Sequence, residues 1–235
     1  MSAAPDPLEL IELQARTLFH HDRDGRLTTI NEPGGQPAPR IFFGQTAHGN
    51  IWRVRHDLPA DLIAELETVF AGEPITTDLR QPSLSLQCLL DVLTEHAPAE
   101  RVWQGPAWYV PESVAVPSDT EPVVLSDLEL LSATFGGAIE SWIDSAPCLA
   151  IMEDGRPVSA CFSARTSAAA SEAGVETLPA YRSRGYASAA TAAWAQHVRA
   201  LGRIPLYSTS WDNLASQQVA RRLGLVLYGA DLHIT

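Results

Sequence analysis

Tyr181-Arg182-Ser183-Arg184-Gly185-Tyr186-Ala187-Ser188 is the stretch on which the reading of this chain turns, because it joins an extended run to a helix. The run before it, 171–178, ends at Pro179. After it, Ala187, Ala190, Thr191, Trp194, Val198 and Leu201 share one face of a helix over 185–201. A glycine at such a junction lets the main chain approach a ligand closely. The first N–H groups of the helix lack intrahelical partners, and with the positive end of the helix dipole they form an anion site. Arg182 and Arg184 add charge to it, and a phosphate or diphosphate is the natural occupant.

Downstream, 204–210 reads as a strand. Asp212 or Asn213 caps a helix with Ala215, Val219, Ala220 and Leu223 inward, Gly224 stops it, and 225–228 begins a closing strand. Upstream, Asp154-Gly155 suits a two-residue hairpin turn between strands 148–153 and 156–164. Before that come a short extended run at 123–125 and a helix opened by Ser126 with Glu129 in capping-box spacing and closed by Gly136 and Gly137. A second, shorter helix is expected over 139–143. The order from 123 onward is therefore β-α-α-β-β-β-α-β-α-β.

The N-terminal part starts with an amphipathic helix carrying Leu8, Ile11, Ala15, Leu18 and Phe19. His20, His21 and Asp22 follow in a loop. They read as a polar turn, since three adjacent ligands cannot converge on one ion and no second cluster accompanies them. Short extended runs are expected near 27–30, 40–43 and 51–55, then helices bearing Leu62, Ile63, Leu66, Val69 and Phe70, and, behind a Ser83 cap, Leu86, Leu89, Leu90 and Leu93. An aromatic segment bounded by prolines, 103–111, leads into the loose stretch 112–122. A boundary there divides the chain into an N-terminal α/β domain, 1–117, and a second domain, 118–235.

Composition narrows the chemistry. All 16 basic residues are arginine, so no lysine is available for a Schiff base, a pyridoxal anchor or a P-loop. Three widely spaced cysteines, Cys88, Cys148 and Cys161, read as core thiols, neither a disulfide framework nor a metal site. No run approaches the roughly 20 apolar residues of a membrane span, and MSAAPDPLEL lacks a basic-then-apolar leader, so a cytoplasmic protein without a membrane partner is the default expectation. The net charge of −12 disfavours nucleic acid. Residues 180–235 nevertheless carry six arginines against two aspartates, a local +4 that leaves −16 on the remainder. That imbalance suits an anionic ligand docking at one end.

Arg182, Gly185 and Ala187 fit the pattern Arg/Gln-x-x-Gly-x-Gly/Ala, which a chain of this composition matches about 0.3 times by chance. Context adds to it. With 175–179 before the loop, and Asn213-Leu214-Ala215-Ser216 and Leu223-Gly224-Leu225 after it, the segment 121–235 resembles the GNAT superfamily of acyl-CoA-dependent N-acetyltransferases. The resemblance implies an α/β (α+β) fold with a mixed, largely antiparallel sheet flanked by helices and splayed between 171–178 and 204–210. It implies acetyl-CoA as the cofactor, without a metal. The stretch from Arg182 through Ser183, Arg184, Gly185, Tyr186 and Ala187 to Ser188 would wrap the diphosphate. Val175, Glu176 and Thr177 would border the pantetheine arm, the backbone of Val175 and Thr177 pairing with its amides, and Asn213 would sit near that arm. The N-terminal domain could be a degenerate lobe of the same fold that contributes to an acceptor pocket.

The implied reaction is direct attack of a small-molecule primary amine on the thioester, which needs alignment, removal of a proton and stabilisation of the developing oxyanion. Glu172 and Glu176 lie on one face of their strand, and either could be the base, or both could face solvent. Where many family members carry a tyrosine that protonates the departing thiolate, this chain has Ala220; Ser216, one turn earlier, is the substitute candidate. Little chain follows for a seventh strand, which leaves the sheet edge open. His197 reads as helix surface and His233 is undecided. The acidic balance favours a cationic acceptor. Oligomeric state, monomer or homodimer, stays open. Alternatives are a non-catalytic acyl-CoA-binding sensor or scaffold, and a loop that takes another phosphate ligand.

Overall fold

The computed structural model describes residues 5–80, 83, 85–117, 120–136 and 146–235. In chain order the elements are α1 (Pro7–Leu18), β1 (Phe19–His21), β2 (Leu27–Ile30), β3 (Ile41–Thr46), β4 (Gly49–Val54), α2 (Ala60–Ala71), α3 (Leu86–His96), β5 (Val102–Tyr109), β6 (Val123–Val124), α4 (Leu128–Phe135), β7 (Cys148–Glu153), β8 (Arg156–Thr166), β9 (Ala170–Thr177), α5 (Tyr186–Ala200), β10 (Ile204–Ser208), α6 (Leu214–Leu223) and β11 (Val226–Ile234). The helix expected over 139–143 lies outside the described residues, as does Gly137.

Among the described residues, nine strands form one sheet in the order β4-β3-β11-β5-β10-β9-β8-β7-β6, and β1 and β2 make a separate pair. Within the sheet only β9 and β10 run parallel. Their register covers Ile204↔Ala170 to Leu206↔Glu172 and stops there, so the two strands part beyond Glu172. That is the splay the resemblance implied.

Alternation decides what each face buries. Phe42 packs with α1 residues Leu10, Ile11 and Ala15, whereas Ile41 and Phe43 pack with Leu62, Leu66 and Leu89 of α2 and α3 on the other face. On β9 the odd residues Ala173 and Val175 lie against the α5 cluster around Trp194. Phe162, paired with Gly174, joins Leu131 of α4, so even-numbered β9 residues share the face of α1 and α4.

The sheet crosses the boundary at 117/118. Strand β5 sits between β10 and β11, antiparallel to both, and β11 continues into pairing with β3. The slot that seemed to lack a strand at the C-terminal edge is therefore filled from earlier in the chain. Pro106 hides β5 in the sequence, since proline lacks a ladder donor and argues against a central strand. The carbonyl of Pro106 faces Thr209, one residue past the end of β10, so the missing N–H falls where that partner strand has already stopped. Gly105, next to it, leaves room for the chain to cross: a Cβ there would lie 1.8 Å from the Thr209 carbonyl oxygen.

Local differences from the sequence reading have local causes. His20 and His21 are in strand β1, not a loop, because β1 pairs with β2. Asp127, not Ser126, caps α4, its carboxylate accepting from the Leu130 N–H at 3.0 Å. Ser83 does not cap α3 directly; its hydroxyl accepts from the Ser85 N–H at 3.2 Å. Cys88 is exposed, whereas Cys148 and Cys161 are buried thiols. The Asp154-Gly155 turn has positive φ at both residues, 50° and 76°. Asn213 is the cap of α6.

Candidate functional site

The loop between β9 and α5 holds Ser183 at φ 64° and Gly185 at φ 88°, two left-handed residues that turn successive N–H groups toward one concavity. The amides of 183–188 find no acceptor among the described residues; the first helical bond is Ala189 N–H to the Gly185 carbonyl. A Cβ at Gly185 would lie 2.9 Å from a guanidinium nitrogen of Arg222, so that side chain from the end of α6 covers the loop. Arg182, Arg184 and Arg222 have no acidic partner among the described residues: Arg182 Nε donates to the Thr177 carbonyl at 3.4 Å, and Arg184 donates to the Ala180 carbonyl at 3.1 Å and stacks 4.8 Å over the Tyr181 ring. Tyr186 donates to Glu153. Unpartnered amides under guanidinium groups that form no ion pair among the described residues are the donor set a diphosphate requires.

Main-chain groups line the splay. Leu178 N–H donates to Val158 of β8, and Glu176 C=O accepts from the Ser159 hydroxyl at 3.2 Å, so the even residues at this end of β9 turn their peptide groups to β8. Val175 and Thr177 turn theirs to the opposite side, where pairing with β10 has already stopped. These residues can accept an extended amide-bearing arm as a strand would. Glu176 belongs to this wall by position, not through its peptide.

The two carboxylates separate. From Glu172 to Glu176 is about 13 Å along the strand, and the Phe162 ring lies over Gly174 between them, 2.1 Å from where a Cβ would be. Glu176 is exposed; partial desolvation raises its carboxyl, opposed by the Arg182 charge. Glu172 is 4% exposed. Burial pushes its carboxyl up to about 7, with the nearby Asp231 charge in the same direction and the Ser208 hydrogen bond opposing. Ser208 Oγ donates to Oε1 at 2.7 Å, and Oε2 has no partner among the described residues.

Glu172 lines a cavity of about 510 Å³ between the sheet and the α1–β1 junction, together with Arg165, Trp103, Phe19, Asn213 and His233. His233 is held edge-on to Phe19 (5.3 Å between centroids) and tilted against Trp103 (4.7 Å), and its Nε2 donates to Asp231 Oδ2 at 2.9 Å. Asp231 also meets Gln14 of α1 at 3.5 Å, and Gln14 accepts from the buried Tyr228 hydroxyl at 3.1 Å. Asn213 spends its side-chain oxygen on the Ser216 N–H, 3.1 Å away. Ser216 does not line the cavity; its carbonyl accepts from the Tyr207 hydroxyl at 3.2 Å, and Tyr207 packs on Ala220.

The sequence of residues 128–230 matches the model of the GNAT acetyltransferase family. Residues 128–230 are therefore similar to a GNAT acetyltransferase domain. A solved structure supports the fold. A GCN5-related N-acetyltransferase-like protein from Streptococcus suis superposes with a TM-score of 0.50 at 17% identity, covering 84% of this chain and 85% of that one. A GNAT-family acetyltransferase from Novosphingobium aromaticivorans gives 0.48 at 17% identity, over 58% of this chain and 65% of its own length, and a tandem GNAT protein from the clavulanic acid biosynthesis pathway gives 0.45 at 12% identity, over 86% and 80%. No curated protein matches the sequence. The GNAT-like domain borrows β5 from upstream, and the loop, the splay and the buried carboxylate all sit on or beside β9.

Arg222, Ser208, Asp231 and His233 were not assigned by the sequence. The local charge of +4 was the one available signal for Arg222; nothing in spacing connects Ser208 to Glu172 or His233 to the cavity. Among the described residues there is no metal-binding cluster, and no helix long and apolar enough to cross a membrane.

Proposed function

We propose that the GNAT-like domain moves an acyl group, acetyl in the simplest case, from coenzyme A to a primary amine of a small molecule, with Glu172 as the proton acceptor. One observation carries the reading: a single strand, β9, leads from the unpartnered amide loop past the main chain of Val175 and Thr177, turned away from β8, to a buried carboxylate facing a cavity.

The residues fit a pantetheine-linked diphosphate. Loop amides with Arg182 and Arg222 would hold the diphosphate, and Val175 and Thr177 the arm. When bound, the thioester supplies an activated carbonyl carbon. The amine nitrogen bonds to that carbon as the C–S bond breaks, the sulfur leaving with the electron pair and taking up a proton. Glu172 takes the proton that the acceptor's ammonium must lose, and a carboxyl near 7 is matched to that task at neutral pH. Ser208 fixes its orientation through Oε1, leaving Oε2 for the proton. Ser216 is the candidate for returning a proton to the thiolate through water. The cavity between the sheet and the α1–β1 junction gives the acceptor a place beside Glu172.

The test is thiol release from acetyl-CoA across an amine panel, with the acetylated product identified by mass. Release should require both reactants, and Glu172→Gln should lower kcat about 100-fold or more while coenzyme A affinity is retained. Tight coenzyme A binding without release for any amine would overturn the enzymatic reading in favour of an acyl-CoA-binding module.

A further inference from the structure

We propose that the acceptor is an extended amine bearing an anionic group at its far end and an apolar body between, the anion being received by Arg101; this rests on the acyltransferase reading above. The cavity that contains Glu172 is also lined by Trp103 of β5 and by Arg101, which precedes that strand. Ser208, the partner of Glu172, stands opposite Ala107 of β5 in the register, and Arg101, the residue just before β5, lies six residues back along the chain, about 20 Å by backbone rise. Both ends nevertheless line one cavity of about 510 Å³.

Arg101 is exposed and its guanidinium has no acidic or carbonyl partner among the described residues. At the Glu172 end, Arg165 spends Nη2 on Glu32 and keeps a buried Nε donor without a partner. Between the ends the wall is the Trp103 ring, the His233 ring tilted against it and Phe19, a surface for apolar atoms. Among the side chains lining the cavity, Glu172 carries the one carboxylate, and of the two guanidinium groups there Arg165 is paired with Glu32, which leaves Arg101 as the lining guanidinium without an ion pair among the described residues.

This reverses the expectation drawn from net charge. The overall −12 would steer a polycation, but screening confines such fields to about 8–10 Å, and inside the cavity the nearest fixed charges decide. A second ammonium at the far end would meet Arg101 with the same sign. A carboxylate there would gain a charge-assisted, two-pronged hydrogen bond that the protein itself leaves unmade.

Calorimetric titration with coenzyme A present, using straight-chain ω-amino carboxylates of four to ten carbons against their primary amides, tests this. The carboxylates should bind about tenfold tighter than the amides, with the difference largest for the longer chains that can span the cavity. Arg101→Gln should collapse the carboxylate-to-amide ratio toward one. Equal binding of the two series, tighter binding of diamines, or a ratio untouched by Arg101→Gln would overturn the inference. Thiol release measured on the same compounds keeps the two readings apart: turnover of amides or diamines would leave the acyltransferase standing without the anion site, and Arg101-dependent binding without turnover would leave the anion site standing without the enzyme.

Discussion

Glu172→Gln should make the protein more stable at neutral and alkaline pH, and by an amount that depends on pH in a defined way. Burial raises the carboxyl from an ordinary 4.5 to about 7. Between those values the folded chain binds a proton that the unfolded chain has released, so stability is fully present below about pH 4.5 and is lost as the pH rises to about 7. At 1.36 kcal/mol per pH unit the full loss is about 3 kcal/mol. Glutamine stays neutral throughout, keeps an oxygen for Ser208, and its other effects on packing do not vary with pH. Urea denaturation of both proteins from pH 4.5 to 8.5 should therefore show the stability difference, variant minus wild type, growing by about 3 kcal/mol and levelling off above pH 7. Taking the difference cancels the titration of every other group that the substitution leaves alone. A difference flat to within about 0.5 kcal/mol across that range would refute the argument that this carboxylate is held in a low-dielectric site. The same variant loses turnover, so stability gained and activity lost should appear together, as expected where a destabilised group is kept for its chemistry.

Other outcomes follow from single contacts. With wild-type protein, kcat/KM should rise with pH up to about 7 and then flatten, and an inflection near the ordinary 4.5 would argue against a buried base. Glu176→Gln should leave kcat within about twofold, because Glu176 is exposed and lies beyond the Phe162 ring from the cavity; a 100-fold loss would move the base to that end of the strand. Gly185→Asp should abolish coenzyme A binding in calorimetry, since it places a carboxylate among the loop amides, forces φ +88° on a non-glycine residue and takes up the Arg222 charge; unchanged affinity would remove the loop assignment. Gly105→Ala should cost more than about 2 kcal/mol in chemical denaturation, because its Cβ would stand 1.8 Å from a backbone carbonyl oxygen that no rotamer change can move.

The sequence by itself determined the elements whose cause is local. Asp154-Gly155 set a hairpin because both residues tolerate positive φ, Asp212 or Asn213 with Gly224 delimited α6 because a cap and a left-handed stop are chemical properties of those residues, and the arginine-flanked glycine before Tyr186 marked the loop whose amides find no acceptor among the described residues. Only the tertiary structure decided the rest. Period-2 alternation put Glu172 and Glu176 on the same face and could not rank them; their difference arises because β10 pairs with β9 as far as Glu172 and no farther, and because α1 covers that end. The strand 102–109, masked by Pro106, takes its place between β10 and β11, partners about a hundred residues later in the chain, and through that pairing Arg101 and Trp103 reach the wall of the cavity. Arg222 comes to lie over Gly185 only when α6 is docked. Backbone pairing across such separations depends on which strand edges remain free once the others have paired, a property of the assembled sheet that no stretch of sequence contains.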